Sequence, residues 1–218
     1  MNDASPRHAP KGRPPASRSA DRRETILLCA VRLFADQGEA ATTIAQIAEA
    51  AGVTPAMIHY YFKSRAGLLD AVAQECILPI VKSVWEAADA GLGDPVEAVC
   101  AWAGRLLEAA RRLPELPRLW AREFLAGSGA LRDRVVPAAV PVQSHSRLIG
   151  AVARAQREGR MNPGIDPVLL MPTVIAMVMC PLAAQEILQK VPTVGSIDRE
   201  ALARHVRAFL LAGLASRQ

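Results

Sequence analysis

Three helix-start signals crowd into the stretch Thr42–Leu69, TTIAQIAEAAGVTPAMIHYYFKSRAGLL, and they leave room only for short helices. Thr43 followed by Gln46 forms a T-x-x-Q capping box, in which two residues three apart satisfy each other's backbone N–H groups. Thr54-Pro55 sets an N-cap before a proline at the first helical position, where the missing N–H costs nothing and the fixed φ already suits a helix. Ser64 caps a further helix that begins at Arg65 and runs past Leu68, Leu69 and Val72. Between the first two signals, Gly52 in Ala51-Gly52-Val53 offers a left-handed turn. The spacing predicts one helix ending near Gly52 and a second over Pro55 to about Tyr61. Ile44, Ile47, Val53 and Ile58 form the apolar seam, and Ala48 is small where the helices cross. Phe62 and Leu68 pack the unit onto its neighbour. Two short helices in this relation are a helix-turn-helix.

The rest of the chain repeats helical spacing without a competing strand pattern. Ile26, Leu27, Ala30, Val31, Leu33 and Phe34 share one face of a preceding helix that stops at Gly38. The helix from Arg65 extends to about Ala90, with a bend expected at Pro79. Gly91 and Gly93 break it, and Asp94-Pro95 starts a helix to about Arg112. Further helices are expected over Glu115–Ala126, then after a Gly127–Gly129 turn over Val142–Glu158, and from Pro167 to near Gln189. Asp198 caps a last one through Leu202, Val206, Phe209 and Leu210. The Pro137–Pro141 region stays unassigned, and Met161–Ile165 reads as loop. The fold class is therefore all-α, with nine or ten helices. Residues 1–20 read as a disordered basic arm, 21–68 as the helix-turn-helix domain, and 69–218 as a second helical domain.

Composition narrows the function. The net charge is +5, and Arg7, Lys11, Arg13, Arg18, Arg22 and Arg23 stand against only Asp3 and Asp21 in the first 23 residues. A basic arm beside a folded domain attracts phosphate; a solubilising tail has the same composition. Cys29, Cys76, Cys100 and Cys180 form no CxxC or His/Cys cluster, so four buried, reduced thiols are expected, with no metal and no disulfide framework. No phosphate loop or dinucleotide fingerprint occurs, and no cofactor is expected. The N-terminus lacks the apolar segment of a signal peptide, and a cytoplasmic protein is expected. Pro167–Ala184 carries no charge over 18 residues, the lower limit of a membrane span. Its three prolines and lack of aromatic flanks favour a helix buried in a core or between subunits.

Phe34 and Gly38, Thr42-Thr43, Ile47-Ala48, Ala51-Gly52-Val53, His59-Tyr60-Tyr61-Phe62 and Leu68-Leu69 together resemble the tetracycline-repressor (TetR) family of regulators over about Arg23–Val72. That family usually has Lys where this chain has Arg65. The resemblance implies a ligand-responsive regulator, a repressor rather than an activator, that binds a palindromic double-stranded DNA operator as a homodimer through its last two helices. In a helix-turn-helix the second helix enters the major groove N-terminus first. Thr54, Pro55, Ala56 and Met57 then face bases or the groove entrance, with His59 one turn on. Thr43, Tyr60, Lys63 and Arg65 are the phosphate candidates, with Arg18, Arg22 and Arg23 behind them. The protein's two tyrosines are adjacent on this helix. They cannot both be core, so one hydroxyl should face outward.

The middle helices would enclose a small-molecule effector. Trp102, Leu106, Trp120 and Phe124 are the expected walls, with Met171, Ile175 and Cys180 behind, and His145, Arg122 or Glu123 orienting a polar group. The apolar lining points to a lipophilic effector. Its binding would move the Arg65–Ala90 helix and shift the two recognition helices apart. Two rival classes have distinct marks. An enzyme would need a catalytic set, and neither Gly127-Ser128-Gly129 nor Ser144-His145-Ser146 supplies one. A helical interaction protein without DNA binding would not need the hydroxyl and basic face of Thr43, Tyr60, Lys63 and Arg65.

Overall fold

The structure is a computed structural model describing residues 16–90, 94–125, 129–139, 141–193 and 195–216. Eleven helices fall within them: α1 (Ala16–Gln37), α2 (Ile44–Ala50), α3 (Pro55–Phe62), α4 (65–90), α5 (Pro95–Arg112), α6 (116–125), α7 (Ala130–Ala139), α8 (Val142–Arg157), α9 (Pro167–Ala183), α10 (Gln185–Leu188) and α11 (Arg199–Leu214). Met161 and Ala215 form an isolated antiparallel bridge, and no strand occurs among the described residues.

The local signals act as read. Thr43 Oγ1 accepts from the Gln46 N–H at 3.2 Å, while Gln46 Oε1 accepts from the Thr43 N–H at 2.8 Å. Gly52 takes φ +64° at the turn, a conformation that costs an L-residue about 1–2 kcal/mol. Ser64, Asp94, Asp166 and Asp198 each cap the helix that follows. Ile26, Val31 and Phe34 of α1, Ile47 of α2, Ile58 of α3 and Leu68 of α4 are fully buried together. Each such side chain is worth about 1.5–3 kcal/mol over its exposed state. That core fixes the orientation of α3.

Several boundaries differ from the sequence reading. α1 starts at Ala16, inside the segment read as a disordered arm; the rest of that arm, residues 1–15, lies outside the described residues, as do Gly91, Gly93 and the Gly127-Ser128 part of the expected turn. α7 occupies the unassigned stretch despite Pro137 in its interior. Its end is held by Trp85, whose indole Nε1 donates to the Ala139 carbonyl at 2.8 Å, one of the carbonyls a helix terminus leaves free. α9 stops at Ala183, and α10 is a separate turn; Pro181 removes a backbone donor just before that stop. In α4, residues Val72–Ile77 form a π-helical turn, with the Leu78 N–H reaching back to the Ala73 carbonyl. The widened turn comes just before Pro79, where an α-helical register would ask the proline for a donor it lacks. The loop after α8 is pinned to the end of α11: Asn162 donates its N–H to Leu214 at 2.9 Å and its side-chain amide to Gly213 at 2.8 Å.

The cysteines do not match a uniformly buried set. Cys100 is buried, Cys29 and Cys76 are half-buried, and Cys180 is exposed on α9. Among the described residues no group of three His, Cys, Asp or Glu side chains could hold a metal ion, and no helix is long and apolar enough to cross a membrane.

Candidate nucleic-acid interface and effector cavity

α3 projects from the N-terminal core because only Ile58 and Phe62 of its side chains are buried. Thr54, Pro55, Ala56, His59, Tyr60 and Lys63 are exposed and Met57 is half-buried. The Thr54 side chain makes no capping hydrogen bond, so its hydroxyl is not committed to the helix. Thr43 is exposed at the start of α2, but both its N–H and its hydroxyl are engaged with Gln46. The two tyrosines divide. Tyr61 turns inward, its hydroxyl 3.1 Å from Ser19 Oγ, and Tyr60 stands 70% exposed. Lys63 ends α3 in the left-handed region, φ +66°. Its Nζ lies 5.4 Å from the Tyr60 ring centre and donates to the Tyr60 carbonyl at 3.0 Å. His59 Nδ1 donates to the Lys63 carbonyl at 3.3 Å, which leaves Nε2 facing away from the helix backbone. Hydroxyls, an imidazole and an ammonium thus share one outward surface at the end of a short, well-anchored helix.

Two of the cations expected on this surface make bonds within the protein. The Arg65 guanidinium folds inward, donating to the Thr42 carbonyl at 2.6 Å and to the Glu39 carbonyl and carboxylate at 2.5 Å each. It ties the start of α4 to the loop that leads into α2. A phosphate contact by Arg65 would have to compete with this clamp within the domain. Arg23 lies 5.0 Å over the Phe62 ring. It forms a two-pronged ion pair with Glu75, one hydrogen bond measuring 2.7 Å. The bond to Arg23 holds the Glu75 carboxyl below the usual carboxylate range. Arg22 remains exposed.

In the second domain an apolar cavity of about 200 Å³ lies between α4, α5, α6, α7 and α9. Of the expected walls, Trp102, Leu106, Trp120, Phe124 and Ile175 line it. Met171 and His145 do not. Met171 packs into the core, and His145 stands behind Trp85, edge-on to its ring with centroids 6.1 Å apart. Cys180 and the two charged residues suggested for polar contacts are absent from the lining as well. The largest side chain missed by sequence reasoning is Trp85 of α4, joined by Ile80, Val84 and Met179. Its signal was present: Ile80, Val84 and Trp85 share one helical face, at spacings of four and five.

The two sites are physically joined. Glu123, 6% exposed, sits on α6 between Trp120 and Phe124 of the cavity wall. It accepts the Glu39 N–H at 2.9 Å, and Glu39 in turn pairs with Arg65. On the same helix Arg118 reaches Asp36 of α1 at 3.0 Å and Glu186 of α10 at 2.8 Å. Arg134 of α7 meets Asp70 of α4 at 2.6 Å. The wall of the cavity therefore holds the helix-turn-helix by several polar contacts.

Comparison with known proteins matches two parts of the chain. Residues 26–72 match the family model for bacterial regulatory proteins of the tetR family, and residues 99–211 match the tetracyclin repressor-like C-terminal domain. The HTH-type transcriptional regulator RutR of Escherichia coli K12 is 29% identical over 150 residues, 67% of this chain and 66% of that protein. The matched part thus spans just under two thirds of that relative's length. The regulator BetI of Rhizobium meliloti is 34% identical over 99 residues, 45% of this chain and 48% of its own. Among solved structures, the ketosteroid transcriptional regulator KstR2 of Mycobacterium tuberculosis superposes with a TM-score of 0.70 at 17% identity, covering 90% of this chain and 96% of that one. With its reading head in the first model and more than half its length in the second, the chain belongs to the TetR family.

Proposed function

We propose that this protein is a ligand-responsive transcriptional repressor, not an enzyme, that binds a palindromic operator as a homodimer and releases it when a small lipophilic effector fills the cavity. One observation carries the reading: the helix lining the cavity through Trp120 and Phe124 also holds the helix-turn-helix through Glu123. A molecule that displaces this wall displaces the reading head with it. On the DNA side, Thr54, Pro55, Ala56, Met57 and His59 meet base edges, and Tyr60, Lys63 and the Thr43 end of α2 meet phosphates. The partner at such a site is the chromosome, which puts the protein in the cytoplasm.

The homodimer is supported by the outer face of the last long helices. Val168, Leu169 and Phe209 are each more than half exposed, and Ile187 lies between them in the chain at 69%. Exposed large apolar side chains on neighbouring helices suit a second copy better than water. Dimerisation doubles a reading head too small to specify an operator alone.

The test is selection of bound duplexes from random DNA, followed by a screen for compounds that release the recovered sequence. A two-fold symmetric motif and release by an uncharged apolar compound are expected. Recovery of no preferred sequence at moderate salt overturns the reading in favour of a helical interaction protein.

A further inference from the structure

The cavity wall carries one fully buried polar side-chain atom without a partner. Trp102 is 1% exposed, lines the cavity, and its indole Nε1 makes no hydrogen bond; it is the one such buried side-chain nitrogen or oxygen among the described residues. The neighbouring Trp85, whose ring centre is 5.7 Å away, spends its own N–H on the Ala139 carbonyl. A buried donor left unpaired is costly, and proteins retain few of them. Water is a poor remedy here. An ordered internal water needs two to four polar partners, whereas every described side chain lining this space is apolar apart from the indoles of Trp85, Trp102 and Trp120.

Resting on the reading of this cavity as the effector site, we propose that Trp102 selects the effector: a neutral, mostly hydrocarbon molecule with one hydrogen-bond acceptor, such as a carbonyl oxygen, placed against Nε1. Size and charge follow from the same wall. An apolar cavity of about 150 Å³ holds benzene, so about 200 Å³ admits a ring with a short substituent. Among the described residues no cation lines the cavity to neutralise an anion, and an unpaired carboxylate there would be strongly disfavoured. The acceptor oxygen satisfies the indole at a point where the rest of the ligand touches only carbon.

The probes are acetophenone, its hydrocarbon counterpart ethylbenzene, and benzoate, titrated into the full-length protein by calorimetry. The indole N–H resonances are followed in ¹⁵N-labelled protein. Acetophenone should bind about tenfold more tightly than ethylbenzene, the value of one hydrogen bond to a donor otherwise buried unpaired. Benzoate should bind more weakly than either. The Trp102 indole N–H should move downfield with acetophenone and not with ethylbenzene. Trp102→Phe, checked for native helicity, should lose the preference and bind acetophenone more weakly than ethylbenzene, because the ketone oxygen is then buried without a donor. Equal binding of both by the unaltered protein, with no downfield shift, overturns the role of Trp102 while leaving the cavity as a ligand site. Failure of both neutral probes to bind overturns the cavity reading itself.

Discussion

The carboxylate of Glu123 accepts the backbone N–H of Glu39 at 2.9 Å across 84 residues of sequence, joining the wall of the cavity to the loop that enters the DNA-reading unit. Glu39 is itself 7% exposed and continues the contact to Arg65. Replacing Glu123 by Ala strands a buried amide, and should lower stability by about 1–3 kcal/mol. The local effect is more telling. Amide exchange at Glu39 should accelerate, and an effector recovered by screening should bind as before yet release the operator less completely. Glu123→Gln keeps a carbonyl in place and should retain most of both properties. If Glu39 exchange is unchanged in the Ala variant, this contact does not carry the signal.

Arg65 and Lys63 make opposite predictions though both are basic and close in sequence. Lys63 is exposed beside Tyr60, and its loss should reduce the slope of log affinity against log salt by about 0.9 per subunit. Arg65→Ala should leave that slope nearly unchanged. It should instead cost about 2 kcal/mol of folding stability, because the buried Glu39 carboxylate loses its counter-charge. Thermal unfolding and operator titrations at several salt concentrations separate the two. A flattened slope for Arg65→Ala at full stability would establish its phosphate role.

What was legible in the sequence was what neighbours decide. The Thr43–Gln46 box, the Thr54-Pro55 start and the Gly52 turn involve residues within four positions of one another, so their geometry follows from spacing alone. The contacts that could not be read depend on distant partners. Arg65 finds Glu39 and Thr42, 26 and 23 residues back, and Arg23 finds Glu75, 52 residues on. Nothing local distinguishes such an arginine from a solvated one. The cavity was half legible for a similar reason. Helical spacing identified Trp102, Leu106, Trp120 and Phe124 as inward-facing, but Met171 and His145 have the same periodicity and pack elsewhere. Trp85 shares a helical face with Ile80 and Val84, but only its packing against α5 and α7 shows that this face lines the cavity.

The Arg23–Glu75 pair links α1 to the π-helical turn of α4, so it should make the domain junction sensitive to acid. Its sign follows from the carboxyl. Glu75 is held below its ordinary range in the folded protein by the bond from Arg23. The stabilisation is present above the ordinary carboxylate pKa and is lost as pH falls through the lowered value. Both partners are partly exposed, so the contribution is modest. Wild-type stability should fall on acidification more steeply than that of Glu75→Gln, measured by urea unfolding between neutral pH and about pH 3. Parallel pH profiles would remove the pair from any account of the junction.

Cys180 and Phe209 offer a chemical test of the proposed dimer. Cys180 is exposed on α9 in the single chain, and Phe209 on α11 is 59% exposed. Cys76 differs: burial pushes its thiol up to about 11, so near pH 8 it holds its proton and reacts slowly with thiol reagents. Burial raises Cys100 in the same direction. In one isolated chain, the exposed Cys180 should therefore be labelled before Cys76 and Cys100. If α9 and α11 meet their copies across a two-fold axis, Cys180 is covered in the native dimer and its labelling is slow. Phe209→Glu places a charge in that contact without touching the core, and should convert the protein to a monomer by sedimentation while accelerating labelling at Cys180 alone. Rapid labelling of Cys180 in a protein that sediments as a dimer would move the interface to another face.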